Sequence, residues 1–202
     1  MSIGAEPGPQ FAMGRVRWRR FAFIMVPSAV VAAILIGLTA EGAIGANISV
    51  SGQEYTVTAT QLKGTGFEQF GSTVTAGKKQ IPVAESAIRS ATLANLCQAV
   101  KFGSVTLLLR AGRSSGHPVA ASNLIVDASS LAGDASFSNI AIGQDAGTLN
   151  QVPGTTGTPG TFGEQANTVQ IDHLVQHTWL TTAGTFTLPG LSLSVSTSGS
   201  CP

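Results

Sequence analysis

Gly112-Arg-Ser114-Ser-Gly116 has the G-x-S-x-G spacing in which a strand-to-helix turn presents a serine nucleophile. Such a serine needs a histidine base and a carboxylate to orient it. Asp127, Asp134, Asp145 and Asp172 precede His173 and His177, so the order serine, carboxylate, histidine is present. The mechanism also needs a helix directly after the serine. Ser115-Gly116-His117-Pro118 follows instead, and the run AGRSSGHP reads as a polar turn joining two strands. Esterase chemistry at Ser114 with His173 or His177 therefore stands as the alternative to a non-catalytic reading.

Asp172-His173-Leu-Val-Gln-His177 has a spacing that could chelate a metal on a helix. The surrounding VQID pattern favours a strand, where positions four apart lie about 13 Å from each other, too far for one ion. No third ligand stands out. Asp127 and Asp134 flank turns and suit backbone capping better than proton transfer. No glycine-rich loop with a lysine precedes a helix, so no phosphate cradle is indicated. The residues thus assign no cofactor and no metal.

The elements that would position these groups are strands. Charged residues are only 10% of the 202 residues, while Gly, Ser, Thr, Ala and Val are abundant, which suits a sheet protein. Period-2 alternation predicts strands near 48–59, 66–75, 90–99, 104–111, 119–128, 134–143, 168–181 and 184–196. Phe137, Ile140 and Ile142 keep this rhythm with one slip, which implies a bulge. Pro189-Gly190 implies an edge strand or a break between two short strands. Helix is expected only in short pieces, around 84–98 or 164–178. Residues 147–165, rich in Gly, Thr and Pro, read as a long surface loop, either flexible or laid over one sheet face.

An internal repeat organises the strands. Val57-TATQ-Leu62-Lys-Gly64 matches Val126-DASS-Leu131-Ala-Gly133, and Leu93-AN-Leu96-Cys97-Gln98 matches Ile171-DH-Leu174-Val175-Gln176. The expected fold is all-β and antiparallel, a sandwich or a solenoid-like sheet, with similar halves at 48–112 and 119–196.

This β domain, residues 47–202, follows a different kind of segment. Phe21 to Ala40 are twenty residues without a charge, enough as a helix to span roughly 30 Å of bilayer core. Arg15, Arg17, Arg19 and Arg20 precede it and place residues 1–20 in the cytoplasm. Ala43-Ile44-Gly45 and Ala46 offer cleavage positions, so permanent anchor and removed signal are both open. Either way the β domain is exported, on the membrane surface or secreted. Cys97 and Cys201 then lie in an oxidising compartment and form a candidate disulfide, two unrelated buried thiols being the other possibility. From Asn47 onward seven Lys and Arg face eight Asp and Glu. Such a balance excludes the basic face of a nucleic-acid binder.

The apolar runs VTLLL and FTLPGLSLSV carry Leu on both faces. They fit core strands, or a groove for a hydrophobic ligand or a membrane partner. The motifs GRVRWRRFAFIMVPS, GTGFEQFG, ANLCQ, ASNLIVDASSLAGDASFSNIAIGQDA and TWLTTAGTFTLPGLSLSV resemble an actinobacterial family of exported or membrane-attached proteins. Its members have no established function and are often labelled cholesterol esterase. The resemblance implies one membrane segment and, in many relatives, a neighbouring small polytopic membrane protein. The expectation is a non-catalytic cell-envelope module that binds a hydrophobic ligand, an envelope component or a membrane partner.

Overall fold

A computed structural model describes residues 51–201 apart from Ser115. The basic N terminus, the apolar segment 21–40 and the start of the 48–59 strand lie outside the described residues. The chain divides into units Met1–Ala46 and Asn47–Pro202, and the described residues all lie in the second. Among the described residues no helix is long and apolar enough to cross a membrane.

Among the described residues there are nine antiparallel strands: β1 (Tyr55–Ala76), β2 (Lys79–Ala94), β3 (Leu96–Phe102), β4 (Val105–Ala111), β5 (Val119–Ser138), β6 (Ala141–Asp145), β7 (Phe162–Thr182), β8 (Thr185–Thr187) and β9 (Ser192–Ser196). Several are segments of one longer row. The pairs Gln61↔Ala94 and Thr58↔Cys97 keep a single register, so β2 and β3 form one row along β1, broken only at Asn95. Likewise β6 continues β5 along β7, since Ser138↔Thr168 and Ala141↔Gln165 share a register. The row of β7 and β8 does the same along β5. The bulge expected near 137–142 is instead a break at Asn139 (φ 52°) between β5 and β6 with no shift of register; the shifts fall within 127–134 of β5 and at 142–144 of β6.

The result is a four-row meander with two-residue hairpins at Gly77-Lys78 and Gly103-Ser104. It closes on itself. Tyr55–Ala59 pair with Leu174–Thr178 of β7, so the path β1–β2–β5–β7 returns to β1. Strands this long must coil, because each twists about its own axis. The kinks carry left-handed residues: Gly66 (φ 68°) in β1, Asn95 (φ 54°) between β2 and β3, Asn123 (φ 46°) in β5 and His173 (φ 54°) in β7. Asn and His tolerate that region better than most side chains. At Gly64 a Cβ would come within 2.5 Å of Ile88 and 3.0 Å of Val169. A glycine is needed there for β1 to lie against β7.

The antiparallel all-β class holds, and its packing is a closed sheet around one main core, which includes Leu62, Phe67, Ile88, Leu124, Val169 and Leu174. Two expectations fail. The stretches 84–98 and 164–178 are strand throughout apart from Asn95, not helix. Their spacing mixed alternation with bulges, and the left-handed residues at Asn95 and His173 gave a false helical phase. The two strands expected at 48–59 and 66–75 are one, β1, kinked at Gly66, and the 119–128 strand likewise runs without a break into the one expected at 134–143, as β5.

The Gly- and Thr-rich connection opens with a single 3-10 turn, Ala146–Thr148, and lies over the outer face of the sheet. Its end, from Phe162, belongs to β7. Asp145 Oδ1 accepts from the backbone N–H of Gly147 (2.8 Å) and of Gly160 (2.9 Å), tying the loop's two ends together. Arg89 Nε donates to Gln151 O at 3.0 Å, and Phe70 packs on Ala146 and Leu149.

At the opposite end Cys97 and Cys201 are disulfide-bonded across a sequence separation of 104. Crosslinking a loop of that length removes unfolded-chain entropy equivalent to about 4–5 kcal/mol at most. Cys201→Ser is expected to lower stability by about 2–4 kcal/mol in chemical denaturation. Reduction of the unmodified chain should give the same loss. An unchanged denaturation midpoint would contradict this assignment of the bridge's role.

Candidate binding cavity

Closure of the ring leaves a cavity of about 230 Å³ inside it. Strand alternation decides what faces it. One transverse row crosses six strands by direct pairing: Leu193 opposite Leu109, Leu109 opposite Gln98, Gln98 opposite Val57, Val57 opposite Gln176, and Gln176 opposite Leu131. The last four of this row, Gln98, Val57, Gln176 and Leu131, all line the cavity. Phe67, Ile88, Leu93 and Leu124 supply much of the remaining apolar wall. Leu131 and Phe186 line the cavity and are also 41% exposed, so they mark its mouth.

Polar groups in the wall are few. Tyr55 Oη donates to Thr181 Oγ1 at 2.7 Å, and Gln69 Nε2 donates to Ser86 Oγ at 2.7 Å. Burial pushes the Tyr55 phenol above its ordinary pKa, which keeps it a neutral donor. The amides of Gln98 and Gln176 flank Val57 from either side. They offer donors and acceptors to a ligand's polar atom without any charge. Nothing in the wall can act as a nucleophile with a base beside it.

The sheet's other face holds the buried acids. Glu85 and Asp127 are directly opposed on β2 and β5, one position away from the cavity-facing pair Ser86 and Val126. Asp127 is 6% exposed, and its Oδ1 is buried without a hydrogen-bond partner. Burial, and then the charge of Glu85, push its carboxyl up to about 6. Burial also raises Glu85, partly offset by a hydrogen bond from Ser72. Glu68 is fully buried beneath the long loop, where its Oε1 accepts from Val152 N at 2.7 Å. Desolvation raises its pKa, while the Val152 and Gln151 backbone and Arg89 pull the other way.

The residues singled out for chemistry are dispersed. Ser114 lies in the bend joining β4 to β5, where His117 N donates to its carbonyl at 3.1 Å. His173 and His177 both lie in β7. His173 Nδ1 is 2.9 Å from Asp134 Oδ2 with both side chains exposed, and His177 Nδ1 is 3.4 Å from Thr56 Oγ1. Neither histidine has a hydrogen bond to Ser114 among the described residues. Asp172 accepts from Gln61 Nε2 (2.6 Å) and Gln170 Nε2 (2.8 Å). Those bonds hold its pKa below the ordinary carboxylate value. No group of three or more His, Cys, Asp or Glu able to hold a metal occurs among the described residues.

The family of unknown function DUF6230 matches residues 51–202, which take in all nine described strands. The chain belongs to the DUF6230 family. No curated protein matches the chain, and no solved structure does. The reading of the DUF6230 domain therefore rests on its own geometry.

Reasoning from chemistry-bearing residue types missed the cavity, although the internal repeat marks it. Val57 and Leu62 in one copy, and Val126 and Leu131 in the other, all line it. So do Leu93, Leu96 and Gln98, and their counterparts Ile171 and Gln176. In the second motif pair the residue immediately before Leu96 or Leu174 makes the kink, and Asn95 and His173 both have φ 54°.

The raised carboxyls fix a direction of pH dependence for the DUF6230 domain. Because Asp127 holds a proton more tightly folded than unfolded, stability increases as pH falls from above 6 to about 4 and then levels off. Asp127→Asn is expected to stabilise the protein at pH 7.5 by about 1–2 kcal/mol and to flatten that slope. Denaturation midpoints at several pH values check both. A variant less stable than the parent at pH 7.5, with the slope intact, would show that Asp127 is not the group responsible.

Proposed function

We propose that the DUF6230 domain is a non-catalytic, extracytoplasmic binding module for the apolar chain of a lipid or similar slim hydrophobic molecule. The observation that supports it is the apolar cavity with two uncharged amides in its wall, Gln98 and Gln176. An apolar void of about 150 Å³ in another protein stays dry and accepts benzene. A cavity of about 230 Å³ lined mainly by aliphatic side chains has the same incentive to fill with hydrocarbon. It falls below the roughly 300–1,000 Å³ typical of pockets that engulf a drug-sized ligand. A single alkyl chain fits that limit better than a fused-ring body. The polar end then lies at Gln98 and Gln176 or outside the mouth at Leu131 and Phe186.

The cell-envelope location follows from the charge-free segment 21–40 behind its arginine cluster. Hydrolysis at Ser114 is the weaker reading, because neither histidine accompanies that serine. A hydrophobic ligand needs only the cavity.

Displacement of a polarity-sensitive dye by fatty acids and alcohols of graded length tests this function. Affinity should rise about fourfold per added methylene until the cavity is full, then level off. Leu131→Trp, at the mouth, should weaken binding at least tenfold with little loss of stability. Ser114→Ala should bind as the parent does. Absence of any chain-length dependence would overturn the proposal, and ester hydrolysis lost in Ser114→Ala would replace it with the esterase.

A further inference from the structure

The cavity wall does not end at the ring. Its inner face continues outward over β3, β4 and β9, where Leu109 still packs against the main core and the residues beyond it, towards Phe102, Leu193 and Val195, are uncovered. Direct pairing fixes the side on which each residue lies: Tyr55 is opposite Val100, Val100 opposite Leu107, and Leu107 opposite Val195. In the neighbouring row Leu193 is opposite Leu109, which is opposite Gln98. Phe102 and Val105 form the outermost pair of β3 and β4. The face carries no charged side chain, and its large residues stand in solvent: Val195 is 68% exposed, Leu193 62% and Phe102 48%.

The reverse face of the same strands is covered. Leu108 is buried there, a Cβ on Gly199 would lie 2.5 Å from its Cδ1, and Cys97 binds Cys201 on that side. The C-terminal tail is thus fastened over one face of the β3–β4–β9 sheet and leaves the other bare. An uncharged patch of this kind marks a contact surface.

The length of chain outside the described part selects the occupant. Tyr55, which starts the first row of this face, follows Ala40 with fourteen residues between them. Even fully extended, that linker reaches only about 50 Å. A bilayer that holds residues 21–40 therefore always has the bare face within reach. The geometry points to a membrane-docking face: β3, β4 and β9 rest their apolar side on the lipid bilayer, and the ligand chain passes along it between membrane and cavity. This rests on the lipid-binding reading above, whose apolar cavity is continuous with the face.

Single cysteines at Leu193, Val195 and Ser194, each carrying an environment-sensitive dye, test it in the full chain reconstituted in phosphatidylcholine and phosphatidylglycerol vesicles. The native cysteines remain in their disulfide. Dyes at positions 193 and 195 should emit at shorter wavelength and be quenched by spin-labelled lipids, because a docked face sits about 5–10 Å into the headgroup boundary. The dye at position 194, on the reverse face, should do neither. Val195→Asp should abolish the shift and quenching seen at position 193. Equal, unshifted emission at all three positions overturns the docking. So does a shift at 193 and 195 without lipid quenching but with cross-links between chains, which assigns the face to a second copy. Fatty-acid displacement on the same preparations separates the two readings: binding kept without docking overturns only the docking, whereas loss of both overturns the ligand as well.

Discussion

The closure of β7 onto β1 is the contact on which the rest of the structure depends. Only five residue pairs make it, Tyr55–Ala59 with Leu174–Thr178. Within them Tyr55–Thr58 are bonded on both edges, to β7 on one side and β3 on the other. Without that seam β1 and β7 would each have an open edge, and Gln98 and Gln176 would no longer flank Val57. An open sheet of such long strands would also expose edges prone to pairing with other chains. The seam requires strong coiling, and the coiling requires left-handed residues within the strands. His173 is the costliest of these, since strained conformations of this kind cost of order 1 kcal/mol or more. It lies immediately before Leu174, the first residue of the seam.

This requirement also explains what the sequence could and could not convey. Alternation was legible wherever a strand ran without interruption, as in Val105-Leu107-Leu109, and the all-β class followed. It misled at 84–98 and 164–178, where a single left-handed residue changes the phase. The break at Pro189-Gly190 was legible because proline cannot donate to a ladder. The merging of 48–59 and 66–75 into one strand was not, because Gly66 reads as a turn although it only kinks. For the site, G-x-S-x-G attracted notice because its chemistry comes with a fixed spacing of residues close in sequence. A binding cavity is written in apolar residues from distant strands, with no local motif. Leu62, Leu93 and Leu131 become informative only once the repeat is laid on the pairing register.

The two faces of the closed sheet divide the labour. The inner face is apolar with neutral amides, and charge is confined to the outer face and the loop. Glu68, Glu85 and Asp127 are nonetheless poorly hydrated there, and neither Glu85 nor Asp127 has a basic side chain hydrogen-bonded or ion-paired to it among the described residues. Removing carboxylates from water costs free energy unless partners replace the solvent. Glu68 has such a partner at Oε1, the Val152 N–H, which fastens the loop over β1, while its Oε2 is buried without one. Asp127 lacks them, and below its pKa of about 6 the neutral acid no longer repels Glu85. These acids bear on stability and pH response, and the alternation of the strands keeps their side chains off the cavity wall, although the charge of Asp127 still reaches Tyr55.

The same alternation makes β3, β4 and β9 asymmetric. A three-stranded extension outside a closed ring has two faces, and a domain with one core can cover only one of them at little cost in chain length. Here the C-terminal tail covers the face bearing Leu108, and the disulfide at Cys97 keeps it there. A tail fixed in that way cannot fold round the edge of β9 to shield Leu193 and Val195. The bridge that closes the fold also settles which apolar face remains available, and that face is the one continuous with the cavity.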